Sequence, residues 1–342
     1  MTQERQQILE QNDRVFRRVS GKIGLGMIFF LLIFYSLNTV AGVIELGLTE
    51  TVFDETTQYC IAQGLYIVAY VLGFLIPALL LRHMLKKSKD YRPMGLRWRV
   101  PRVTPLLIVG AIALNFAAAY FNSYLVTLLL PFQSPDLSVL MEETDELYEM
   151  LLLFLSTAVV PALVEEILFR GVVMTALLPF GGTVAIFGSA LLFALMHGNI
   201  LQFFYTALMG VVLGYVYFRT RSIWCGVLIH FFNNALSVLQ QILVDLPDAD
   251  MGLRWSSLVE LLVILAGMFS VFGLLMLHRK RRRPEDSGSF GVVFAPSVDY
   301  QRYPTSEKQT LKGFFTPSMI VFVILAGLTM AGTFLTLLAL GA

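Results

Sequence analysis

The stretch TAVVPALVEEILFRGVVMTALL, from Thr157 to Leu178, places two adjacent glutamates and one arginine inside an otherwise apolar run. The charged residues are Glu165, Glu166 and Arg170, which follows Glu166 by about one helical turn. An ionisable side chain in a bilayer interior is costly, so such residues in a transmembrane segment are candidates for a functional role. The run therefore predicts a membrane-spanning helix that carries chemically active groups.

The composition of the chain indicates a polytopic membrane protein. Hydrophobic residues make up 56% of the sequence and charged residues 14%, with a mean hydropathy of +0.71. A soluble domain has roughly 25% charged residues. The net charge of +1 gives no strong electrostatic case for nucleic-acid binding, so the basic clusters are interpreted as signals of membrane topology. Two cysteines, Cys60 and Cys225, cannot form a disulfide framework.

Apolar segments long enough to cross a bilayer recur along the whole chain. A transmembrane helix needs about 20 residues. Nine segments are candidates, at 23–44, 60–81, 104–130, 149–178, 183–197, 200–218, 222–244, 258–277 and 317–340. The fifth is short, and Pro161 is a plausible bend point in the long fourth segment. We therefore expect an all-α bundle of eight to nine transmembrane helices.

The charges of the connecting loops alternate in sign along this predicted arrangement. Basic clusters lie before segment one and after segments two, six and eight, at 14–22, 82–102, 219–221 and 279–283. Acidic clusters occupy the opposite loops, at 45–55, 136–149 and 245–250. Lysine and arginine favour the cytoplasmic side. The N-terminus is therefore predicted to be cytoplasmic and the C-terminus to lie outside.

Two regions stand apart from the helical pattern. Residues 284–316 contain glycine, serine, proline and mixed charge, which is typical of a linker, so segment nine beyond it is a candidate for a peripheral helix. The acidic stretch Gln133–Met150 fits a solvated cap on segment four or an interfacial helix.

Polar groups of three different segments are predicted to lie at similar depth. From the helical rise, Glu165 lies ~20 Å and His197 ~21 Å from the cytoplasmic end of its segment. The same measure gives ~12 Å for His230 and ~18 Å for Asn234. Taken alone, a membrane histidine or asparagine is more often a helix–helix hydrogen-bond partner than a catalyst. Their coincidence at one depth favours a common site.

The two glutamates are predicted to have different environments. Residues four apart share a helix face, so Glu166 can pair with Arg170, although such a pair can also be purely structural. Glu165 is rotated by about 100° and can face a cavity. Two adjacent carboxylates in a low dielectric do not both ionise easily. A carboxylate in that setting can serve as a general base.

Three spaced patterns give the chain a resemblance to a known family. In order along the chain they are Glu165-Glu166-x-x-x-Arg170, Phe193-x-x-x-His197 and His230-x-x-x-Asn234. They resemble the three motifs of the CAAX protease and bacteriocin-processing family of intramembrane peptidases, which includes prenyl-protein endopeptidases and abortive-infection-like proteins. The resemblance covers roughly residues 105–275, and each motif falls in an apolar run.

The resemblance implies roles for the motif residues. Glu165 would activate a water molecule for attack on a peptide carbonyl, and His197 would help to hold that water. His230 and Asn234 would stabilise the developing oxyanion. Glu166 and Arg170 would support the site.

Cofactor use is left open by the resemblance, because members of the family were first described as metal-dependent. Two histidines and a carboxylate could hold Zn²⁺ with an open coordination position. The HExxH arrangement is absent, however, and a glutamate-activated water uses the same residues. We therefore expect a site without a metal, with Zn²⁺ as the alternative.

The sequence thus predicts an intramembrane endopeptidase, with a transporter or a membrane scaffold that retains the polar core as the alternative. The expected partner is a peptide or a membrane-associated protein, and the expected location is a bacterial cell membrane. The predicted parts are an N-terminal cytoplasmic segment with two transmembrane helices (1–104), the catalytic core (105–277), a cytoplasmic linker (278–316) and a C-terminal transmembrane helix (317–342).

Overall fold

The computed structural model of the chain is helical throughout the parts that it describes. Those parts are residues 3–86, 100–129, 146–244, 248–280 and 307–340, and the elements within them are all helices. The predicted all-α fold is thus confirmed. Most of the predicted linker, most of the acidic stretch Gln133–Met150 and part of the basic cluster at 82–102 lie outside the described residues.

The α-helices are numbered here in chain order. Their bounds are α1 (Gln3–Leu48), α2 (Glu55–Lys86), α3 (Thr104–Leu129), α4 (Leu147–Phe154), α5 (Val160–Glu166), α6 (Thr175–Leu177), α7 (Gly182–Met196), α8 (Ile200–Thr220), α9 (Ile223–Val244), α10 (Ala249–Lys280), α11 (Glu307–Phe314) and α12 (Pro317–Leu340). Helices α1 and α10 begin before the apolar segments predicted for them. Their polar first turns contain no proline, so the helix continues without a break.

Eight helices among the described residues are long and apolar enough to cross a membrane. The remaining candidate is α7, which has 15 residues and spans about 22 Å. This length is shorter than a hydrocarbon core of roughly 30 Å. Helix α7 corresponds to the fifth predicted segment, and it is the one among the nine that is too short to meet the criterion for a transmembrane helix, as its length predicted.

The fourth transmembrane segment, Leu147–Phe180, is an irregular helix. Wider π-helical turns occupy Leu155–Val159 and Ile167–Met174, on either side of α5. Pro161, which lacks a backbone N–H, lies in the first turn of α5, so the predicted irregularity coincides with the end of the first π segment. Such π segments in α-helices are frequent at functional sites.

Helix α12 is part of the core, which corrects the expectation that it is peripheral. Its residues Met319, Phe322 and Ala326 are fully buried and belong to the main hydrophobic cluster. A Cβ atom at Gly24 of α1 would lie 2.4 Å from the backbone nitrogen of Met319, so only glycine permits this approach of the two helices. Ser318 also donates a hydrogen bond of 2.7 Å to the carbonyl of Gly21. These contacts fix α12 beside α1.

The centre of the bundle is formed by α5 and its π-helical continuation. Helices α2 and α9 pack directly against α5, while α7 packs against the π segment that follows it. Phe169 and Phe193 meet edge to face there, with ring centroids 5.2 Å apart. This arrangement brings the charged residues of the fourth segment against the histidine-bearing helices.

Candidate active site

Four of the six predicted site residues line one cavity of about 590 Å³. These are Glu165 of α5, His197 at the end of α7, and His230 and Asn234 of α9. The remaining two, Glu166 and Arg170, lie behind the cavity wall and are fully buried. The structure therefore brings together residues that are up to 69 positions apart in the sequence.

Arg170 is buried and links the fourth transmembrane segment to α7 and α8. Its Nη1 atom lies 2.7 Å from Oε1 of Glu166, and both side chains are fully buried. Its Nη2 atom donates a hydrogen bond of 3.1 Å to the carbonyl of Gly210 in α8. The guanidinium carbon lies 4.7 Å from the ring centroid of Phe193 in α7, a cation–π contact. A buried ion pair depends on such additional contacts, since desolvation opposes it.

His230 lies between the two glutamates. Its Nδ1 atom is 3.3 Å from Oε1 of Glu166, within hydrogen-bonding distance. Its Nε2 atom is 3.9 Å from Oε2 of Glu165, which is too long for a hydrogen bond. Within the described chain, Oε2 of Glu165 is buried and has no hydrogen-bond partner. This oxygen is therefore an acceptor with capacity for a further polar group.

Glycine at position 226 is required by the packing of α9 against Glu166. A Cβ atom there would lie 2.7 Å from Oε2 of Glu166. Real Cβ atoms do not approach other heavy atoms so closely, so a larger residue would displace the carboxylate. Since His230 follows one turn later on the same helix, Gly226 sets the distance between His230 and the glutamates.

His197 is the C-cap residue of α7 and lies at the start of a tight turn. Its Nδ1 atom lies 2.8 Å from the carbonyl oxygen of Phe193. A carbonyl oxygen only accepts hydrogen bonds, so Nδ1 carries the proton and Nε2 presents a lone pair when the ring is neutral. Gly198 follows with a φ of 60°, a left-handed conformation that glycine adopts readily. The turn thus holds the imidazole at the cavity.

Asn234 has one of its amide N–H groups already engaged. Its Nδ2 atom donates to the carbonyl of Thr157 at 3.0 Å, within the first π segment. Its Oδ1 atom accepts from Asn233 at 3.2 Å, and Asn233 in turn accepts from Asn115 of α3 at 2.8 Å. The second N–H of Asn234 is the one that the predicted oxyanion role requires.

Tyr70 and Asn115 line the same cavity and were not predicted from the sequence. The hydroxyl of Tyr70, in α2, donates a hydrogen bond to Oε1 of Glu165. Neither residue belongs to a recognisable spacing pattern. The available signal was chemical, because a tyrosine or an asparagine inside a transmembrane segment requires a hydrogen-bond partner.

The Zn²⁺ alternative rests on Glu165, His197 and His230, which all line the cavity. Among the residues that the structure describes, no group of three or more histidine, cysteine, aspartate or glutamate side chains is arranged to hold a metal ion. Nδ1 of His197 faces a carbonyl, and both ring nitrogens of His230 face carboxylates.

The fold and the site define a polytopic membrane protein with a carboxylate–histidine centre inside its helical bundle. Comparison with known proteins supports the resemblance seen in the sequence. The family described as "Type II CAAX prenyl endopeptidase Rce1-like" matches residues 147–236, which contain all three motifs. The resemblance to the CAAX protease and bacteriocin-processing family is thus confirmed.

A curated relative agrees with this assignment. A Bacillus subtilis (strain 168) protein named "Putative membrane peptidase YdiL" is 22% identical over 192 residues. The matched region covers 53% of this chain and 73% of the relative. No solved structure matches the chain. The family and the eight apolar helices support a multi-pass membrane protein with a protease role.

Proposed function

We propose that the chain is an intramembrane endopeptidase in which Glu165 activates a water molecule to hydrolyse a peptide bond. Glu165 lines the cavity, and the observation that carries the proposal is its buried Oε2 atom, which has no hydrogen-bond partner among the described residues. A carboxylate oxygen in this position can accept a proton from a water molecule in the cavity.

The proposed reaction begins when Glu165 takes one proton from water, and the resulting hydroxide attacks the carbonyl carbon of the peptide. His197 lines the same cavity, and the lone pair on Nε2 of its neutral ring can accept a hydrogen bond from the second O–H group of that water. The carbonyl oxygen becomes an oxyanion in the tetrahedral intermediate. The intermediate then collapses, the C–N bond breaks, and Glu165 returns its proton to the leaving amine.

The oxyanion would be stabilised by donors from α9. His230 and Asn234 lie one turn apart on that helix and both line the cavity. Donors fixed by the fold stabilise developing charge without having to reorganise, which makes them effective in a site that excludes bulk water. The second N–H of Asn234 is one group that we assign to this task, and the other is the Nε2–H of His230 in its protonated form, since Nδ1 faces Glu166.

Glu166 and Arg170 would support the site without touching the substrate. Both are fully buried behind the cavity wall, and Oε1 of Glu166 lies 3.3 Å from Nδ1 of His230. The pair therefore fixes the orientation of the His230 ring. Such an orienting partner can be worth roughly 10- to 100-fold in activity by analogy with partners of metal-bound histidines.

We assign a peptide segment or a membrane-associated protein as the substrate and a bacterial cell membrane as the location. The cavity combines amide, hydroxyl and imidazole groups with apolar surface, a mixture that suits a peptide backbone. The bacterial relative supports the location.

The proposed orientation places the N-terminus in the cytoplasm. It rests on the alternation of basic and acidic loops. Single cysteines at Val52 and Arg102, both exposed, would be introduced into a chain without Cys60 and Cys225. An impermeant thiol reagent applied from outside should label position 52 but not position 102. The opposite result would invert the orientation.

The test of the proposed function is an unbiased peptidomic comparison of membranes that contain the wild-type chain or the Glu165→Ala variant. We expect the variant to accumulate at normal levels and to lose cleavage, because the change removes a costly buried carboxylate along with the base. Glu45→Ala is the matched control, since Glu45 also accepts a tyrosine hydroxyl but lies outside the cavity. Unchanged cleavage by Glu165→Ala would remove Glu165 as the base.

A further inference from the structure

Tyr70 is a residue of α2 that contacts Glu165 although it lies outside the region shared with the family. The family match covers residues 147–236, and the three motifs lie within it. Tyr70 is 95 positions before Glu165 in the sequence, yet its hydroxyl donates a hydrogen bond to Oε1 of that glutamate. Helix α2 therefore contributes directly to the surroundings of the proposed base.

The ring of Tyr70 is held in place by two phenylalanines. It stacks on Phe74 with ring centroids 4.8 Å apart and an interplanar angle of 27°. It meets Phe34 of α1 edge to face, with centroids 5.6 Å apart and an angle of 79°. Aromatic pairs of this kind add to the energy of burial and restrict ring orientation. The hydroxyl is thus presented to Glu165 from a fixed position.

The hydrogen bond makes the two oxygens of Glu165 inequivalent. Oε1 is occupied by Tyr70, whereas Oε2 is buried and without a hydrogen-bond partner in the described part of the chain. Rotation of the carboxylate about its terminal bond would break the contact with Tyr70. Oε2 therefore remains the oxygen on the side of His230, with 3.9 Å between Oε2 and Nε2 of that histidine.

We infer that Tyr70 is a positioning residue of this site: it holds Glu165 through Oε1 so that Oε2 is available to the attacking water. The inference rests on the proposed function. Tyr70 acts through Glu165 and needs no contact with the substrate. Its contribution is orientation, and a misplacement of about 1 Å in a reacting group can cost ~10²-fold in rate.

Tyr70→Phe tests this inference because it removes only the hydroxyl and retains the ring that packs on Phe34 and Phe74. Tyr66→Phe is the matched control. Tyr66 lies one turn earlier on α2 and donates a hydrogen bond of 2.7 Å to Glu45, away from the cavity. Both variants lose one tyrosine–glutamate hydrogen bond from the same helix, so a general effect on folding should appear in both.

The experiment uses the full chain in lipid nanodiscs and a pool of short, internally quenched peptides as the probe. For Tyr70→Phe we expect kcat to fall on the order of 10²-fold, with KM unchanged and the protein still folded at the assay temperature, although the unpaired Oε1 of buried Glu165 lowers its unfolding midpoint below that of Tyr66→Phe. Peptide binding should be the same in Glu165→Ala and in the Tyr70→Phe/Glu165→Ala double variant, because Tyr70 has no substrate contact of its own.

Each contrary result would contradict a different part of the inference about Tyr70 or the proposed function on which it rests. Wild-type kcat in Tyr70→Phe, with Glu165→Ala inactive, removes the positioning role and leaves the proposed function intact. A loss of activity that follows the fraction of unfolded Tyr70→Phe protein at the assay temperature makes Tyr70 structural. Weaker peptide binding in the double variant makes it a substrate contact. Full activity of Glu165→Ala instead overturns the proposed function itself.

Discussion

Thr333 of α12 donates a hydrogen bond of 3.0 Å to the carbonyl oxygen of Gly198, the residue that follows His197. A Cβ atom at Gly198 would also lie 3.0 Å from Cγ2 of Thr329, so α12 covers this turn closely. An unsatisfied backbone carbonyl inside an apolar helical bundle is costly, and Thr333 supplies the donor for this one. The C-terminal helix therefore helps to hold the histidine of the second motif.

Thr333→Val should lower the thermal stability of the protein and reduce its activity. The hydroxyl of Thr333 also lies 3.1 Å from the carbonyl of Thr329 in its own helix, so valine loses the contact that joins α12 to Gly198. Leaving the Gly198 carbonyl unpaired should cost about 1–3 kcal/mol. Thr336→Val is the control, since Thr336 is exposed and bonds within its own helix to Gly332. Equal unfolding midpoints for the two variants would contradict the role of α12 in holding the turn.

Arg170→Ala should damage folding as well as activity. It leaves Glu166 fully buried without its partner, and breaking a buried ion pair in this way costs about 3–5 kcal/mol. The measurement is the yield of folded protein and its thermal unfolding midpoint. The double variant Glu166→Gln/Arg170→Met removes both charges, so it should recover most of the stability but not the activity. A fully stable Arg170→Ala protein would contradict the pairing argument.

Gly226→Ala should reduce activity by displacing the carboxylate of Glu166. The new Cβ atom would fall 2.7 Å from Oε2, and the carboxylate can relieve this only by moving away from His230 and Arg170. The expected loss is roughly 10- to 100-fold in kcat, as for other orienting partners. Gly214→Ala is the control, because its Cβ atom would meet Ile186 at an ordinary 3.5 Å. If both variants retain wild-type kcat, the close approach of α9 is unimportant for catalysis.

Metal removal should leave activity unchanged. A membrane-permeant chelator is expected to have no effect, while His230→Ala and Asn234→Ala should each lower kcat by ~10²–10³-fold through loss of oxyanion stabilisation. The opposing result is specific: stoichiometric zinc in the purified, active protein, lost with activity on chelation and restored on readdition. That outcome would identify His197 and His230 as metal ligands.

The site could be predicted from the sequence wherever one helix sufficed to define it. Glu166 and Arg170 lie four apart in an apolar run, so their pairing follows from helix geometry and the cost of a lone buried charge, and the structure contains it at 2.7 Å. The depth estimate gave ~20 Å for Glu165 and ~21 Å for His197, and these two side chains do line one cavity.

The contacts between helices could not be predicted in the same way. The shared face of His230 and Asn234 is a property of α9 alone, but the position of His230 between two glutamates depends on the approach that Gly226 permits. Asn234 donates to the carbonyl of Thr157, which lies four residues before Pro161 and receives no helical hydrogen bond from that proline, but the sequence does not show that α9 would supply the donor. A π turn changes the register of a helix without a distinct sequence signature.

What the sequence determined by itself was the class of the protein. Apolar length requires helices in a bilayer, and charged or imidazole groups within them require partners, which is why the three motifs are recognisable from residue spacing alone. Only the tertiary structure decided that α2 supplies Tyr70 to Glu165 and that α12 supplies Thr333 to the turn after His197. Inside a bilayer, the packing of whole helices decides which acceptor lies next to a given hydroxyl group. Because the apolar segments resemble one another in sequence, the sequence does not specify which of them become neighbours.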